Sequence, residues 1–334
     1  MTLRHNAKVD TAENFGSIEN SEQNEDLPHC PIGVSKEIVQ IWEEAQNLKD
    51  SGLPMLIQGE TGVGKEVFAR FLHSTGKRKD KQFIAVNCSA MPKELMESEL
   101  FGVEKNAATG VDFRRGKIEM ADQGILLLDE IGDMPLNLQS KLLRIFEQGS
   151  FFRVGGNKQV QADVCFMAAT NSNLMKRVEE GDFRNDLYFR LKGATFLLPP
   201  LRERKADIPW FLEYFLNDLN ARNTTSVVFS RRAHQSLLKY PWPGNIRELK
   251  NEVTRAYHLA KTSGLIQTFH FSAAIKEAEN PLGLFEEVSK FEKMLIERAL
   301  EAHESAVEAA KALSIPRSTL YNKIRLYKIK IKEK

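Results

Sequence analysis

The sequence has few cysteines and lacks a long apolar run. Its three cysteines in 334 residues, Cys30, Cys88 and Cys165, are far apart and form no metal-ligand spacing. Cys88 and Cys165 lie inside apolar stretches, which indicates buried thiols in a reducing compartment. No apolar run approaches the about 18 residues needed to cross a bilayer, and there is no signal peptide. These absences predict a cytoplasmic protein.

The chain also has little net charge, +2, but that charge is unevenly distributed. Apolar residues make up 42% and charged residues 28%, as in a soluble globular protein, and the length predicts about two domains. Residues 1–29 are acidic and poor in apolar side chains, so we expect a flexible tail, too short for a sensory domain. The last 19 residues carry seven Lys or Arg and one acid, a net of +6, which is typical of nucleic-acid binding.

A glycine-rich stretch at 59–66 is the most informative part of the sequence. Its residues are Gly59, Glu60, Thr61, Gly62, Val63, Gly64, Lys65 and Glu66. An apolar run, 55–58, precedes it and a helix-like segment follows, which is the context of a phosphate-binding loop. A structural glycine turn is the alternative. Lys65 would reach the outer phosphates, and Glu66 replaces the usual magnesium-binding Ser or Thr, so the metal must be held elsewhere.

Alternating strand and helix patterns predict an α/β fold. Five runs that are apolar nearly throughout predict a buried parallel sheet, with ligands at the carboxyl ends of its strands. These runs are Met55–Gln58, Phe83–Cys88, Ile125–Glu130, Val164–Asn171 and Ala194–Leu198. A helical subdomain follows over 208–261. An apolar stripe from Leu284 to Ala299 predicts an amphipathic helix whose stripe is either core or a dimer contact, and two shorter helices complete the chain.

Polar residues at the ends of these strands are candidates for chemistry. Asp129 is placed to hold Mg²⁺, and Glu130 to polarise an attacking water. Asn171 would orient that water or sense a γ-phosphate, and Asn87 would hydrogen-bond Glu130 and switch its position. Solvated strand ends and ordinary turn chemistry are the alternatives.

Several sequence motifs together resemble those of the bacterial enhancer-binding proteins, AAA+ transcription activators that remodel sigma-54 RNA polymerase. Beyond the 59–66 loop, the matching stretches are Val86–Ala90, Glu99–Gly102, Leu128–Met134, Phe183–Leu191 and Trp242–Leu249. The resemblance implies an AAA+ P-loop domain with a parallel five-stranded sheet over 30–205 and a helical lid over 206–262. It further implies a linker over 263–283 and a small all-α helix-turn-helix DNA-binding domain of the Fis type over 284–334.

The resemblance also implies roles for single residues. Arg184 and Arg190 resemble arginine fingers that reach a neighbouring subunit's γ-phosphate in a ring, so a dimer and a hexamer-like ring are implied. Arg247 resembles a second nucleotide sensor, and Ile32 and Gly33 resemble adenine contacts. ATP and Mg²⁺ are the implied cofactors. The implied DNA contacts, at upstream activator sites, are Arg317, Ser318, Thr319, Tyr321, Asn322 and Lys323.

The sequence departs from the family in two places. The loop that contacts sigma-54, Gly-Ala-Phe-Thr-Gly-Ala in the family, is replaced here by Asn106, Ala107, Ala108, Thr109, Gly110 and Val111. Loss of its aromatic residue implies a weakened contact with the holoenzyme. Ser314 stands where the family favours glycine, in a turn that requires positive φ. A DNA-binding regulator or repressor that does not activate sigma-54 is therefore an alternative. An AAA+ helicase or unfoldase is another, which the helix-turn-helix disfavours.

Overall fold

The computed structural model describes residues 33–105, 112–279, 284–303, 305–327 and 329. They divide into two compact units, one formed by the chain up to Phe215 together with Trp242–Asn251, and one by the remainder. The strands are β1 (Met55–Gln58), β2 (Phe83–Asn87), β3 (Gly102–Val103), β4 (Arg114–Arg115), β5 (Ile125–Asp129), β6 (Ser150–Phe152), β7 (Gln159–Gln161), β8 (Cys165–Thr170), β9 (Ala194–Leu197), β10 (Val228–Phe229) and β11 (Leu265–Ile266).

The helices lie between and after these strands. They are α1 (Lys36–Leu48), α2 (Lys65–Thr75), α3 (Lys93–Phe101), α4 (Lys117–Met120), α5 (Leu136–Gln148), α6 (Leu174–Glu179), α7 (Asn185–Leu191), α8 (Asp207–Asn223), α9 (Arg231–Lys239), α10 (Asn245–Ala260), α11 (Ala273–Glu279), α12 (Leu284–Ala302), α13 (Ala306–Ala312) and α14 (Arg317–Leu326). No described helix is long and apolar enough to cross a membrane.

The first unit is built on a five-stranded parallel sheet in the order β2-β5-β8-β1-β9, which confirms the predicted α/β class. Alternate residues of one strand enter different cores. Leu126 and Leu128 pack with α3, α5 and α7, while Ile125 and Leu127 pack with α1 and α2. A strand buried on both faces needs apolar residues at every position, which is why the β5 sequence is a continuous run of Ile and Leu.

Two antiparallel ribbons of the first unit are not predicted from the sequence. β3 pairs with β4, and β6 pairs with β7. A bridge between Val103 and Val154 joins a residue of the first ribbon to the turn of the second. Strands of two or three residues are too short for an alternating pattern to be recognised.

The second unit holds residues 216–241 and the chain from Glu252 onward. The stretch predicted as a linker, 263–283, instead contains β11, a 3₁₀ turn at Thr268–His270 and α11 as far as Glu279. Ile266, Phe271 and Ile275 are buried there. Gly264 has φ +71° and forms the turn before β11, so its sequence signal marks a tight turn rather than a flexible connection.

The last three helices of the second unit form a small core of their own. Ile296 and Ala299 of α12 pack with Ala309, Ala310, Leu320 and Ile324 of the two following helices. Val288 and Phe291, on the predicted apolar stripe of α12, are exposed. The core part of the stripe is therefore near the carboxyl end of the helix.

Candidate functional site

The 59–64 loop connects β1 to α2 and has the left-handed backbone that its glycines allow. Gly62 has φ +82° and Gly64 has φ +102°. A Cβ atom on Gly62 would lie 2.4 Å from the carbonyl oxygen of Gly244, so no larger residue fits without a shift. Ile246 and Arg247 donate their backbone N–H groups to the Gly62 carbonyl at 3.0 and 3.3 Å. The start of α10 is therefore bonded directly to this loop.

Lys65, the first residue of α2, lies almost fully buried beneath the loop. Its Nζ donates to the carbonyl oxygens of Gly59 and Glu60 at 2.9 and 3.4 Å. It also lies 3.5 Å from Oε1 of Glu130. Because the loop is wrapped around this ammonium group and opens a helix, the arrangement suits a multiply charged phosphate.

Glu130 follows β5 with φ +50°, a left-handed conformation that is uncommon outside glycine. Its Oε2 accepts the backbone N–H of Asn171 at 3.0 Å, and the Asn171 side-chain amide donates to Thr61 Oγ1 at 3.0 Å. Hydrogen bonds thus connect the ends of β5 and β8 to each other and to the 59–64 loop. Backbone strain at a residue so placed is typical of functional sites.

Asn87 lies at the end of β2, but its partner differs from the predicted one. The parallel register places Asn87 opposite Asp129, and its Nδ2 lies 3.4 Å from Asp129 Oδ2. The carboxylate of Glu130 is instead engaged by Lys65 and Asn171. Strand pairing, which the sequence does not specify residue by residue, decides this contact.

Asp129, the last residue of β5, is the candidate magnesium ligand, and Glu130 beside it is the candidate group for polarising water. Burial, followed by the charge of Glu130, raises the pKa of Asp129. A divalent cation would favour the ionised carboxylate, and Mg²⁺ typically takes one or two carboxylates with water and phosphate oxygens. Among the described residues there is no cluster of three or more His, Cys, Asp or Glu that could hold a metal. Glu66 pairs with Arg70 at 2.8 Å.

A polar cluster behind the loop was not predicted from the sequence. Glu60 accepts two hydrogen bonds from Arg202, at 2.8 and 2.6 Å, and one from the Asn245 amide at 3.2 Å. Asn245 is fully buried with φ +55°, also donates to the Thr61 carbonyl at 3.0 Å, and accepts from the Leu201 N–H at 2.8 Å. The bonds from Arg202 and Asn245 lower the pKa of Glu60 to about 2.

Arg184 and Arg190 lie at the two ends of α7 and are exposed. Arg184 forms two hydrogen bonds with Asp186, at 3.0 and 2.7 Å, and Arg190 donates to the Phe146 carbonyl at 2.9 Å. The partners of the two guanidinium groups are thus Asp186 and Phe146, and neither partner belongs to the 59–66 loop. Both groups are accessible on the surface.

The remaining predicted nucleotide residues are only partly described. Gly33 has φ +126°, and the next two residues donate their N–H groups to Asp207 Oδ1, each at 2.6 Å. Arg247 is exposed in the first turn of α10. Ile32 and the 106–111 loop lie outside the described residues.

The predicted DNA-contacting residues lie on α14. Ser314 has φ +55° in the turn before it, as predicted, and Leu313 and Ile315 pack against the small core. Arg317, Ser318, Tyr321 and Asn322 are exposed. Lys323 instead contacts Glu292 of α12 at 2.5 Å, and Tyr327 donates to the same carboxylate at 2.6 Å. These two bonds hold α14 against α12.

Three family models match successive parts of the chain. They are described as "Sigma-54 interaction domain" over residues 32–196, "AAA+ ATPase lid domain" over 202–283 and "Bacterial regulatory protein, Fis family" over 287–327. The lid match includes residues 263–283, the stretch predicted to be a linker.

Individual relatives agree with these matches. The "DNA-binding transcriptional regulator NtrC" of Rhizobium meliloti is 37% identical over 88% of this chain and 69% of its own length. A "Signal-transduction and transcriptional-control protein" of Clostridium beijerinckii is 40% identical over 90% of this chain and 49% of its own. The crystal structure of NtrX from Brucella abortus in complex with ATP is 32% identical, with a TM-score of 0.67 over 88% of this chain and 68% of that one.

The fold and these matches define an AAA+ protein with a Fis-type helix-turn-helix. The chain belongs to the sigma-54-dependent enhancer-binding regulators, the family that includes NtrC. It spans about half the length of the first curated relatives that it matches, 49%, 52% and 45%.

Proposed function

We propose that this chain is a transcription regulator that hydrolyses ATP, binds DNA at upstream activator sites and remodels sigma-54 RNA polymerase holoenzyme. The observation that carries the proposal is the convergence of Lys65, Glu130 and Asn171 on the 59–64 loop. Phosphoryl transfer to water requires a cation for the phosphates, a group that activates the water and a group that positions it. Lys65, Glu130 and Asn171 have the side chains for these roles.

Each of these groups has a role in the proposed reaction. Lys65 binds the outer phosphates, and Asp129 holds Mg²⁺, which neutralises phosphate charge when it is bound. Glu130 polarises the attacking water, and Asn171 keeps the carboxylate in position through the bond from its backbone N–H at 3.0 Å. Arg247 and Gly33 are proposed to complete the nucleotide site.

The proposed active site is shared between subunits of a ring. Arg184 and Arg190 are exposed at the two ends of one short helix, so both can reach a neighbouring molecule. A guanidinium group supplied by a neighbour stabilises the charge of the transition state, and such a group typically contributes about 10³ to 10⁵ in rate. Hydrolysis is therefore coupled to assembly.

Sequence-specific DNA binding is assigned to α14. Its first two turns present Arg317, Ser318, Thr319, Tyr321 and Asn322 at the start of a helix that follows a tight turn. This is the geometry with which a recognition helix enters the major groove. Lys323 pairs with Glu292, so we assign it to the packing of α14 against α12; a contact of its ammonium group with a DNA phosphate would require this pair to open.

Two variants of the nucleotide site test the proposal. Glu130→Gln should retain ATP binding and lose turnover by roughly a hundredfold or more, because only general-base assistance is removed. Lys65→Ala should lose binding as well. ATP affinity and phosphate release are measured for both, with Glu147→Gln, an exposed glutamate on α5, as the matched control. Near-normal turnover by the Glu130 variant would contradict the assignment.

A further inference from the structure

Gln139 is a buried side-chain amide on α5 that joins two segments with different roles in the proposed reaction. It is 0% exposed. Its Nε2 donates to the carbonyl oxygens of Met134 and Asp182 at 2.7 and 3.1 Å. Its Oε1 accepts the backbone N–H of Arg184 at 2.8 Å. Both ends of the amide are therefore used, each on backbone atoms outside α5.

The first of these segments is the chain that follows Glu130. The N–H of Asp133 donates to the Glu130 carbonyl at 3.0 Å, and that of Met134 donates to the Ile131 carbonyl at 3.1 Å. This 3₁₀ turn ends at the Met134 carbonyl that Gln139 binds. A shift of this turn would therefore break or strain the bond from Gln139, which is buried and has no water to replace it.

The second segment is the start of α7, which carries Arg184 before its first turn and Arg190 in its last. Arg177 provides a second connection to the same turn, since its guanidinium donates to the Gly132 carbonyl and pairs with Asp133 at 3.0 Å. The Arg177 carbonyl in turn accepts the N–H groups of Asp182 and Phe183 at 2.9 and 3.1 Å. Two side chains therefore connect the turn after Glu130 to the chain that precedes Arg184.

We propose that Gln139 is a positioning residue for Arg184, and that it acts on the active site of the neighbouring subunit rather than on that of its own chain. The proposal rests on the proposed function, in which Arg184 and Arg190 complete a neighbour's site. Loss of the amide leaves the Met134 carbonyl unpaired in the interior and the Asp182 carbonyl and Arg184 N–H unpaired at partly buried positions, so we expect the segment to shift to recover partners. A displacement of about 1 Å at a group that stabilises a transition state can lower the rate roughly a hundredfold.

Gln139→Met tests this, because methionine has a similar volume and cannot form the three hydrogen bonds. ATP affinity should stay within about threefold of the wild type, while turnover of the variant alone should fall roughly a hundredfold. Gln148→Met, an exposed glutamine at the end of the same helix, is the matched control and should keep both.

Mixing experiments distinguish action on a neighbour from a structural role. Glu130→Gln subunits have intact fingers and an inactive site of their own. Added in excess to Gln139→Met subunits, they should supply Arg184 in the correct position and raise phosphate release per Gln139→Met subunit at least tenfold. If addition restores nothing while ATP still binds, Gln139 acts on its own chain's Glu130 and the proposal is overturned.

A reference mixture separates this inference from the proposed function. Arg184→Ala subunits lack the finger itself, so Glu130→Gln subunits should rescue them in the same way. Rescue of Arg184→Ala but not of Gln139→Met would overturn the role of Gln139 alone. If neither Arg184→Ala nor Gln139→Met is rescued, the active site is not shared between subunits. Both the proposed shared site and the proposed role of Gln139 would then be overturned.

A second variant, Gln139→Glu, keeps the proposal testable if Gln139→Met does not fold. Burial keeps the introduced carboxyl neutral, so Gln139→Glu retains the oxygen that accepts from Arg184 and one of the two donated hydrogen bonds, to Met134 or to Asp182. It should show a smaller loss of turnover than Gln139→Met and the same rescue by Glu130→Gln. Loss of turnover that no partner restores in a folded, ATP-binding Gln139→Glu protein would also overturn the proposal.

Discussion

The Glu60 side chain, in the 59–64 loop, is held in place by hydrogen bonds from residues that are distant in the sequence. Arg202 and Asn245 lie 142 and 185 positions away in the sequence, and both donate to its carboxylate. Asn245 also bonds to the Thr61 carbonyl, so the loop is held at two successive residues by one buried amide. A preformed loop loses less conformational freedom when a phosphate binds.

The ionisation of Glu60 predicts a pH-dependent contribution to stability. Because Arg202 and Asn245 hold its pKa near 2 in the folded state, the charged pair stabilises the protein fully above the unfolded value of about 4.5. That contribution is lost as the pH falls from about 4.5 to 2. For this half-exposed group, screening by solvent limits it to about 1 kcal/mol.

Glu60→Gln measures the contribution. The difference in unfolding free energy between wild type and variant should be largest above pH 5 and shrink towards pH 2, as followed by urea denaturation. The exposed Glu147→Gln serves as the control and should show no such trend. A difference that stays constant across this range would show that the Arg202 contact contributes nothing through charge.

At the scale of elements, the sequence predicts the sheet well and its small additions poorly. The five predicted strands are found within about a residue of each end, because each is apolar nearly throughout. Three of them also end at or beside a candidate site residue, namely Asn87, Asp129 and Asn171. The convergence of Lys65, Glu130 and Asn171 follows from the shared carboxyl edge of a parallel sheet.

Elements without a periodic signal escape prediction. Residues 102–103 and 114–115 form strands of two residues, and 273–279 forms a helix inside a stretch whose Gly, Asn and Pro resemble a linker. Contacts over long sequence separation escape as well. The Glu60, Arg202 and Asn245 cluster and the three bonds of Gln139 depend on how elements pack, which local pattern does not encode.

The turn before α14 predicts a stabilising substitution. Ser314 has φ +55°, its N–H donates to the Lys311 carbonyl at 3.0 Å, and the N–H of Ile315 donates to that of Ala310 at 3.1 Å. Glycine adopts this conformation without the Cβ clash, so Ser314→Gly should stabilise the helix pair by up to about 1 kcal/mol. Ala312→Gly, at the last residue of α13, should instead destabilise it, by less than the about 1 kcal/mol that glycine costs in a helix interior.

Amide hydrogen exchange of α13 and α14 in the full-length chain measures both effects, since it reports local opening. Slower exchange in Ser314→Gly and faster exchange in Ala312→Gly are expected. Equal exchange in Ser314→Gly and the wild type would mean that the serine causes no strain in this turn.

At the scale of the whole molecule, the proposed function requires a surface through which ATP hydrolysis acts on the sigma-54 holoenzyme. The motifs assigned to nucleotide binding resemble those of the family. The stretch at the position of the sigma-54 loop instead has Ala108 in place of an aromatic residue. An aromatic side chain buried at an interface typically contributes about 2 kcal/mol or more, roughly thirtyfold in affinity. The wild-type chain should therefore hydrolyse ATP and engage sigma-54 weakly.

Restoring the loop tests this expectation. Ala108→Phe, combined with Asn106→Gly and Val111→Ala, should raise the affinity for sigma-54 in the presence of a transition-state analogue of ATP by roughly thirtyfold, measured as trapping across a titration of sigma-54. The matched control moves the aromatic by one position, with Ala107→Phe in place of Ala108→Phe. Strong trapping by the wild type would mean that Thr109, Gly110 and their neighbours suffice. No gain in the restored loop, with ATP hydrolysis intact, would favour a DNA-binding regulator whose assembly is controlled by ATP and which does not act through sigma-54.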